Sequence, residues 1–296
     1  MPDLSVVIPT FDTASMTLRC CRAVLSSMPD ETEVIVADDG SRDGTVELLA
    51  QEVPAVLVVS LESNRGFAPA ANRGAALARG RIILLLNSDA IVMPEALREL
   101  LAAFDADPAL GVAGARLRND DGTPQWSGGR TPTLPWMIGV VSGAGRFARF
   151  FRGCIPSEAA REVDWVSGAA MAIRREVWEA AGPLDERFRF YCQDIELCLG
   201  ARKAGWHVRI VETASVVHAI GGTVANRNPL HHDPERLWPD LLDWGTAYYG
   251  RRWSVAARVV LVSVARMRIA WRALYRRDET TKILMRAARA IRLFRD

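Results

Sequence analysis

Short apolar runs alternate with helix-like segments over the first 117 residues, and this alternation limits the possible folds more than any other feature of the sequence. Strands that are apolar throughout, each followed by a helix, are typical of a parallel sheet covered by helices on both faces. The sequence therefore predicts an α/β fold with a mostly parallel, Rossmann-like sheet. The predicted strands are Leu4–Pro9, Glu33–Ala37, Val56–Val59, Arg81–Leu86 and Gly111–Leu117, and the predicted helices are Thr13–Met28, Asp43–Glu52, Gly66–Arg79 and Pro94–Ala106.

After residue 117 the pattern changes. Residues 118–162 are rich in Gly, Pro, Ser and Arg, and we expect a long, partly mobile insertion there. Strand-like runs return in Val163–Ile173, followed by a helix at about Gln193–Lys203 and a strand at Trp206–Val211. The segment Ala219–Pro239 is predicted to be a loop. We expect residues 1–225 to form one domain, with 1–117 and 163–223 as its two halves, and residues 235–296 to form a helical region.

The charge of the chain is unevenly distributed. Residues 251–296 hold 13 Lys and Arg against 3 Asp and Glu, which leaves 24 of the 37 basic and 32 of the 35 acidic residues for the rest of the chain. Helical spacing places apolar side chains, including Met267 and Trp271, opposite arginines. A basic amphipathic tail fits an anionic membrane surface, although helices that pack on the domain with solvated arginines remain an alternative. Nucleic acid is disfavoured, because the aromatic side chains do not alternate with basic ones.

Several other classes of protein are disfavoured. The N-terminal MPDLSVVIPT lacks a basic start and a long apolar core, so no signal peptide is expected. The most apolar part of the tail, Val259–Ala265, has 7 residues, whereas a membrane-spanning helix needs about 20. The five cysteines contain no CxxC pair, which argues for buried thiols and against disulfides or structural zinc. The glycine-rich Asn64–Gly74 matches neither the dinucleotide-binding nor the P-loop pattern.

Polar residues follow three of the predicted strands. Thr10 and Asp12 come after the first strand, Asp38 and Asp39 after the second, and the fourth runs directly into Asn87-Ser88-Asp89. Parallel sheets bind ligands at the carboxyl ends of their strands. Because three strand ends each carry a carboxylate, the sequence predicts one shared site that could include an oxygen-bound cation.

The second half carries two further candidates, Asp194 at the start of a helix and His218 after a strand. Taken alone, each has an ordinary structural explanation. Asp194 could cap its helix and favour the helix dipole, and His218 could be a hydrogen-bonded core residue. Asp89 is too far from the helix predicted at Pro94 to cap it, which favours a functional role there.

The order of these motifs resembles glycosyltransferase family 2. The motifs are SVVIPTFD, VIVADDGSRDGT, NRGFAPAANRG, LLLNSDA, VSGAAMAIRREVWEAAGPLDERFRFYCQDIELCLGARKAGW and VVHAIGGT, and the resemblance covers about Ser5 to Thr223. The later WGTAYYGRRWSVAARVVL resembles the tail of bacterial rhamnosyltransferase-like members. The resemblance implies a GT-A type fold and an inverting transfer from a nucleotide-diphospho-sugar, assisted by Mg²⁺ or Mn²⁺.

The resemblance also implies a role for each matching position. Asp194 would be the catalytic base, and Asp89 and His218 would hold the metal. The nucleotide-sugar would lie against Pro9, Thr10, Asp12, Asp38, Asp39, Asn64, Gly66, Asn72, Asn87 and Ser88. The acceptor and sugar pocket would include Trp165, Ser167, Gly168, Tyr191 and Gln193.

One position departs from the family pattern, because Gln193 stands where a glutamate usually precedes the catalytic aspartate. A glutamine cannot act as a base, so a non-catalytic relative that binds a nucleotide-sugar or glycan is the alternative reading. The leading expectation is a transferase for bacterial cell-surface polysaccharide, peripheral on the cytoplasmic face of the membrane. Its donor would be dTDP-rhamnose or, failing that, a UDP-sugar, and its acceptor a glycan or polyprenyl-linked sugar. The sequence does not indicate an oligomeric state.

Overall fold

A computed structural model describes residues 2–143, 162–188, 191–219, 234–275 and 279–293. The chain divides into two compact units. The first consists of Met1–Gly129, Pro156–Glu186 and Gln193–Ala225, and the second of Arg130–Ile155, Arg187–Cys192 and Asn226–Asp296.

The first unit is built on one sheet, to which eight strands belong within the described residues. The strand order is β3-β2-β1-β4-β9-β6-β10-β5. β1 to β4 run parallel, as do β6 and β10, whereas β9 and β5 are antiparallel to their neighbours. The predicted mostly parallel sheet is confirmed. The strands are β1 Leu4–Thr10, β2 Thr32–Asp38, β3 Leu57–Ser60, β4 Ile82–Leu86, β5 Ala90–Val92, β6 Leu110–Arg118, β9 Ala170–Arg174 and β10 His207–His218.

Helices cover the sheet. Because their apolar faces pack against it, both faces of the central strands are buried and carry apolar residues. Every residue of β4 is buried, and Leu97, Leu100 and Phe104 of α4 pack in the same core. Alternating polar residues would leave unpaired polar groups in these layers, so continuous apolar strands are favoured. The helices of this unit are α1 Ala14–Ser27, α2 Thr45–Glu52, α3 Phe67–Ala75, α4 Ala96–Ala106, α6 Arg175–Ala181 and α7 Gln193–Lys203.

The last long strand was predicted too short. The prediction ended at Val211, but β10 continues to His218. A register shift between Val211 and Ser215 lets the second half of β10 continue along β6 and also pair with β5. Polar residues at this shift interrupt the apolar pattern, which is why the sequence suggested an early end. The short β5 was not predicted, and the helix expected from Pro94 begins at Ala96.

The predicted insertion, residues 118–162, contains regular structure at its start. In the first unit, β7 Gly128–Gly129 pairs with β8 Trp165–Val166. In the second unit, α5 spans Leu134–Ser142, and Thr133 caps it by accepting a hydrogen bond from the Trp136 N–H. Residues 144–161 lie outside the described residues, so the mobility expected of the insertion stays a prediction.

The described part of the second unit is mostly helical. Its longer helices are α8 Pro234–Tyr249, α9 Arg251–Tyr275 and α10 Glu279–Leu293. The helical tail is confirmed, but the loop predicted for Ala219–Pro239 was wrong at its C-terminal end, because α8 begins at Pro234. Proline is tolerated in the first turn of a helix, where its missing N–H would have no intrahelical partner. Residues 220–233 of that predicted loop lie outside the described residues.

Helix α9 uses small and aliphatic residues for packing. Ala257, Leu261 and Ala265 are fully buried, whereas Met267 and Trp271 are 65% and 61% exposed. The face predicted to be apolar is therefore not the face that packs within the protein. In the described part of the chain, no helix combines the length and the apolar character that a membrane span requires. The cysteines at 20, 21, 192 and 198 are buried thiols, and Cys154 lies outside the described residues.

Candidate active site

The carboxyl ends of β1 and β2 bring Thr10 and Asp38 into register. Both side chains are buried, and the Thr10 hydroxyl lies 2.8 Å from Thr13 Oγ1 and 2.6 Å from Thr17 Oγ1. Pro9 lies in the same strand, paired with Ala37. Among the described residues, the Asp38 carboxylate accepts a hydrogen bond from the Ser41 N–H, at 3.2 and 3.3 Å. A buried carboxylate with such long bonds retains capacity to accept hydrogen bonds from a ligand.

Asp39 is held differently from its neighbour. Its two carboxylate oxygens accept hydrogen bonds from the Arg65 N–H at 2.9 Å and the Gly66 N–H at 2.7 Å. These bonds join the end of β2 to the start of α3. Gly66 has φ +105°, a value that favours glycine. Asp39 therefore has a structural explanation in this chain, and Asn64, which precedes this junction, is exposed.

The loops after β1 and β2 are tied together through Asp12. Its carboxylate accepts a hydrogen bond from the Arg42 N–H at 2.7 Å, and its own N–H donates to Ser41 Oγ at 2.9 Å. Asp43 in turn accepts from the Ala14 N–H at the start of α1. Asn72 on α3 is also occupied within the protein, since its amide donates to Leu184 O and Glu186 Oε1 and accepts from the Leu184 N–H. The nucleotide contacts expected of Asp12 and Asn72 stay predictions.

Asp89 and His218 meet at the junction of β4, β5 and β10. His218 pairs with Ala90 in the antiparallel ladder, and its Nε2 lies 3.2 Å from Asp89 Oδ1. The same nitrogen is 3.1 Å from Asn87 Nδ2. Both side chains are mostly buried, with 13% of His218 and 17% of Asp89 exposed. Ser88, between Asn87 and Asp89 in the sequence, has its Oγ 3.2 Å from Thr13 Oγ1.

Gln125 was not predicted and contacts His218 directly. Its Oε1 lies 2.6 Å from His218 Nδ1. The two residues are 93 positions apart, and Gln125 lies in the segment predicted to be a mobile insertion. No spacing or periodicity in the sequence could have paired them. No cluster of three or more His, Cys, Asp or Glu side chains that could hold a metal occurs among the residues the structure describes.

Asp194 lies in the first turn of α7. Its Oδ2 accepts a hydrogen bond from the Gly168 N–H at 3.1 Å, and its Oδ1 accepts from the Ile195 N–H at 2.8 Å. Burial raises the pKa of the Asp194 carboxyl above its ordinary value, and the two N–H donors offset this only in part. A raised pKa makes the ionised carboxylate a better proton acceptor near neutral pH.

The turn between β8 and β9 connects Asp194 to the loop that carries Asp89. Gly168 donates to Asp194, and the next residue, Ala169, accepts a hydrogen bond from the Asn87 N–H at 3.0 Å. Asp194 and the loop at residues 87–89 are therefore hydrogen-bonded to two consecutive residues of the same turn, Gly168 and Ala169.

Of the other residues predicted for the acceptor and sugar pocket, Trp165, Ser167 and Gln193 belong to the first unit. Trp165 packs edge to face on Trp126 with ring centroids 4.9 Å apart, and the Ser167 N–H donates to Ser127 O. Gln193, the first residue of α7, is 4% exposed. Tyr191 belongs to the second unit, where its N–H donates to an Asp240 carboxylate oxygen at 2.9 Å.

The sequence is similar to those of known proteins. Residues 5–179 match the sequence model of the family described as glycosyl transferase family 2. The N-acetylglucosaminyl-diphospho-decaprenol L-rhamnosyltransferase of Mycobacterium tuberculosis is 26% identical over 249 residues, which cover 77% of this chain and 81% of that protein. The O-antigen biosynthesis protein RfbC of Myxococcus xanthus is 29% identical over 228 residues, or 73% of this chain and 17% of that protein.

A solved structure shows the same fold. It is the mannosyltransferase PcManGT from Pyrobaculum calidifontis in complex with GDP-Man and Mn²⁺, with a TM-score of 0.59 and 18% identity. The match covers 99% of this chain and 81% of that one. The predicted GT-A type fold is confirmed.

Proposed function

The chain belongs to glycosyltransferase family 2, and on that premise we propose that it inverts the anomeric centre of a sugar that it moves from a nucleotide-diphospho-sugar to an acceptor hydroxyl. The acceptor oxygen attacks the anomeric carbon from the side opposite the diphosphate, the bond from that carbon to the diphosphate breaks, and Asp194 receives the hydroxyl proton. The observation that carries this proposal is the turn at Gly168 and Ala169, which is bonded to both Asp194 and Asn87.

Asp89 and His218 suit a divalent cation. A carboxylate oxygen and an imidazole nitrogen are 3.2 Å apart; carboxylates suit Mg²⁺ and Mn²⁺, and imidazole is a ligand of divalent transition metals. Mg²⁺ usually binds through one or two carboxylates together with substrate phosphates and water, so Asp89 and the phosphates of the donor would be enough to hold it. Bound at this pair, Mg²⁺ or Mn²⁺ would neutralise the charge of the departing diphosphate. The complex of PcManGT with GDP-Man and Mn²⁺ supports this choice of ion.

Asp38 and Thr10 are proposed to face the nucleotide, because Asp38 is a buried carboxylate at the carboxyl edge of the sheet. Asp194 is proposed as the base. Gln193 beside it carries no charge, so the raised pKa of Asp194 comes from burial and not from a neighbouring carboxylate. Gln193 and Trp165 belong to the proposed acceptor and sugar pocket.

We propose dTDP-rhamnose as the donor and a polyprenyl-linked sugar or glycan as the acceptor, in the synthesis of bacterial cell-surface polysaccharide. The support is the name of the mycobacterial relative, a rhamnosyltransferase acting on a decaprenol-linked sugar, and the O-antigen role in the name of the Myxococcus protein. A UDP-sugar is the alternative donor.

The helices of the second unit are proposed to bind the cytoplasmic face of the membrane. Val259, Met267, Trp271, Met285 and Leu293 are 52–65% exposed, and the surrounding sequence from 251 to 296 holds 13 basic residues. Each Lys or Arg near an anionic surface contributes about 1 kcal/mol of binding free energy. This would hold the enzyme close to a lipid-linked acceptor.

The donor is tested by thermal shift with dTDP, UDP and GDP, each with and without Mn²⁺. A ligand that binds the folded state alone raises Tm, and we expect a shift for dTDP that increases when Mn²⁺ is present. Transfer is then measured with the matching nucleotide-sugar for the wild type and for Asp194→Asn. Nucleotide binding without turnover, and without any effect of the substitution, would favour the non-catalytic alternative. No shift with any nucleotide would contradict both.

The membrane contact is tested by co-sedimentation with vesicles of anionic or zwitterionic lipid. We expect the protein to sediment with the anionic vesicles only, and Met267→Asp to weaken that binding. Leu57→Asp is the matched control, because Leu57 is 53% exposed in β3 and lies outside the tail. Equal vesicle binding by Met267→Asp and the wild type would count against insertion of the exposed apolar side chains of the tail into the membrane.

A further inference from the structure

The hydrogen bonds around His218 determine which of its ring nitrogens carries the proton. Nδ1 lies 2.6 Å from Gln125 Oε1, and Nε2 lies 3.1 Å from Asn87 Nδ2 and 3.2 Å from Asp89 Oδ1. In a neutral imidazole one nitrogen is a donor and the other an acceptor. The tautomer can be assigned if one hydrogen-bonding partner of the ring can act only as an acceptor or only as a donor.

That partner is the Gln125 amide, whose orientation is set by its other contacts. The Gln125 Nε2 is 2.9 Å from Asn119 Oδ1 and 3.1 Å from the backbone oxygen of His218. A backbone carbonyl can only accept, so the NH₂ group of the amide must face it. Asn119 agrees, because its own Nδ2 donates to Thr123 Oγ1. The Gln125 Oε1 is therefore the atom that faces His218, and the Nδ1 of His218 must donate to it.

The backbone keeps Gln125 in this place. Its N–H donates to Leu117 O at 2.9 Å, and a tight turn from Asn119 to Thr123 returns the chain to the end of β6. β6 is paired with β10 as far as Arg118 and Val217. The glutamine is thus anchored to the strand end that carries the histidine.

With the proton on Nδ1, the neutral ring presents a lone pair at Nε2. Asn87 Nδ2 can donate to it, but Asp89 Oδ1 is a second acceptor 3.2 Å away. Two acceptors at this distance repel each other unless a proton or a cation lies between them. Asp89 Oδ1 and His218 Nε2 are therefore placed so that both can contact one proton or one cation between them.

We propose that Gln125 is a positioning residue that holds His218 in the Nδ1-protonated form and aims its Nε2 lone pair at the cation beside Asp89. The inference rests on the proposed metal-assisted transfer and adds to it a residue from the segment expected to be an insertion. Groups that bond to the outer nitrogen of a metal-binding histidine orient the ring and increase its basicity.

The tautomer is tested by NMR of the full chain with ¹⁵N-labelled histidine, without metal and at a pH well above the ordinary imidazole pKa. Among the signals of the four histidines, those of His218 are identified by their loss in His218→Asn. We expect the His218 Nδ1 to carry a proton. A neutral ring with its proton on Nε2 would overturn the proposal, and this result does not depend on Mn²⁺ binding.

The effect on metal binding is tested by Mn²⁺ titration followed by electron paramagnetic resonance. Gln125→Met keeps the length of the side chain but removes the acceptor, and we expect the affinity for Mn²⁺ to fall about 10- to 100-fold. Gln51→Met, the same change at an exposed position of α2, should leave the affinity unchanged. Wild-type affinity in Gln125→Met would overturn the positioning role. A wild type that shows the Nδ1 proton but binds no Mn²⁺ would contradict the proposed metal site alone.

Discussion

Replacing Asp194 with asparagine separates its chemical role from its structural one. The carboxylate accepts two hydrogen bonds, from the Gly168 and Ile195 N–H groups. Asparagine has one acceptor oxygen, so its NH₂ group would face one of these N–H donors. The variant cannot take the acceptor proton, and general-base catalysis contributes about 10²- to 10⁴-fold. We therefore expect kcat to fall by that factor, equivalent to about 3–5 kcal/mol of activation free energy.

The difference in stability between the wild type and this variant depends on pH. Burial raises the pKa of Asp194 in the folded protein, so the folded state favours the protonated carboxyl. The stabilisation from this group is fully present below the pKa of the unfolded chain, about 3.9, and is lost as pH rises through the folded pKa. Asparagine does not titrate. The Tm of the wild type relative to Asp194→Asn should therefore decrease as pH rises through that window.

The assay combines a pH series of transfer rates with thermal unfolding at each pH. The acid limb of the wild-type kcat profile should lie at a higher pH than an ordinary aspartate would give, since the base must be ionised to act. Asp30→Asn, at an exposed position before β2, is the matched control for both readouts. The reasoning is refuted if Asp194→Asn keeps more than about a tenth of the wild-type rate, or if its residual rate shows the same acid limb.

Two further substitutions test the packing that supports the site. Gly74→Ala would place a Cβ atom 2.5 Å from Cγ1 of the buried Val7, and we expect a loss of about 1–3 kcal/mol in the free energy of unfolding, measured in urea. Gly168→Ala is the control, because its Cβ would meet no atom closer than 3.7 Å. Asn72→Ala deletes three hydrogen bonds to Leu184 and Glu186, so we expect a loss of about 2–3 kcal/mol. Unchanged urea midpoints in either Gly74→Ala or Asn72→Ala would contradict the packing described.

Much of the sheet could be predicted because its signal is local. The apolar runs that became β1, β2 and β4 match the structure within a residue or two at each end, since burial on both faces demands apolar residues at every position. The polar residues at the strand ends could be identified because each directly follows one of these apolar runs. The prediction failed where pairing with neighbouring strands, and not an apolar run, determines the length of a strand. Beyond Val211, β10 continues through polar residues because it pairs with β6 and β5.

Local sequence is enough to predict the α/β alternation, the carboxylates after β1, β2 and β4, and the basic composition of the tail, because each is a property of neighbouring residues. The tertiary structure alone decided that Gln125 faces His218 and that one turn bonds to both Asp194 and Asn87. It also decided that Asn72 and the carboxylate of Asp39 are occupied by protein groups. These contacts join residues dozens of positions apart, and no periodicity encodes them. They follow from strand order, which packing of the whole chain selects.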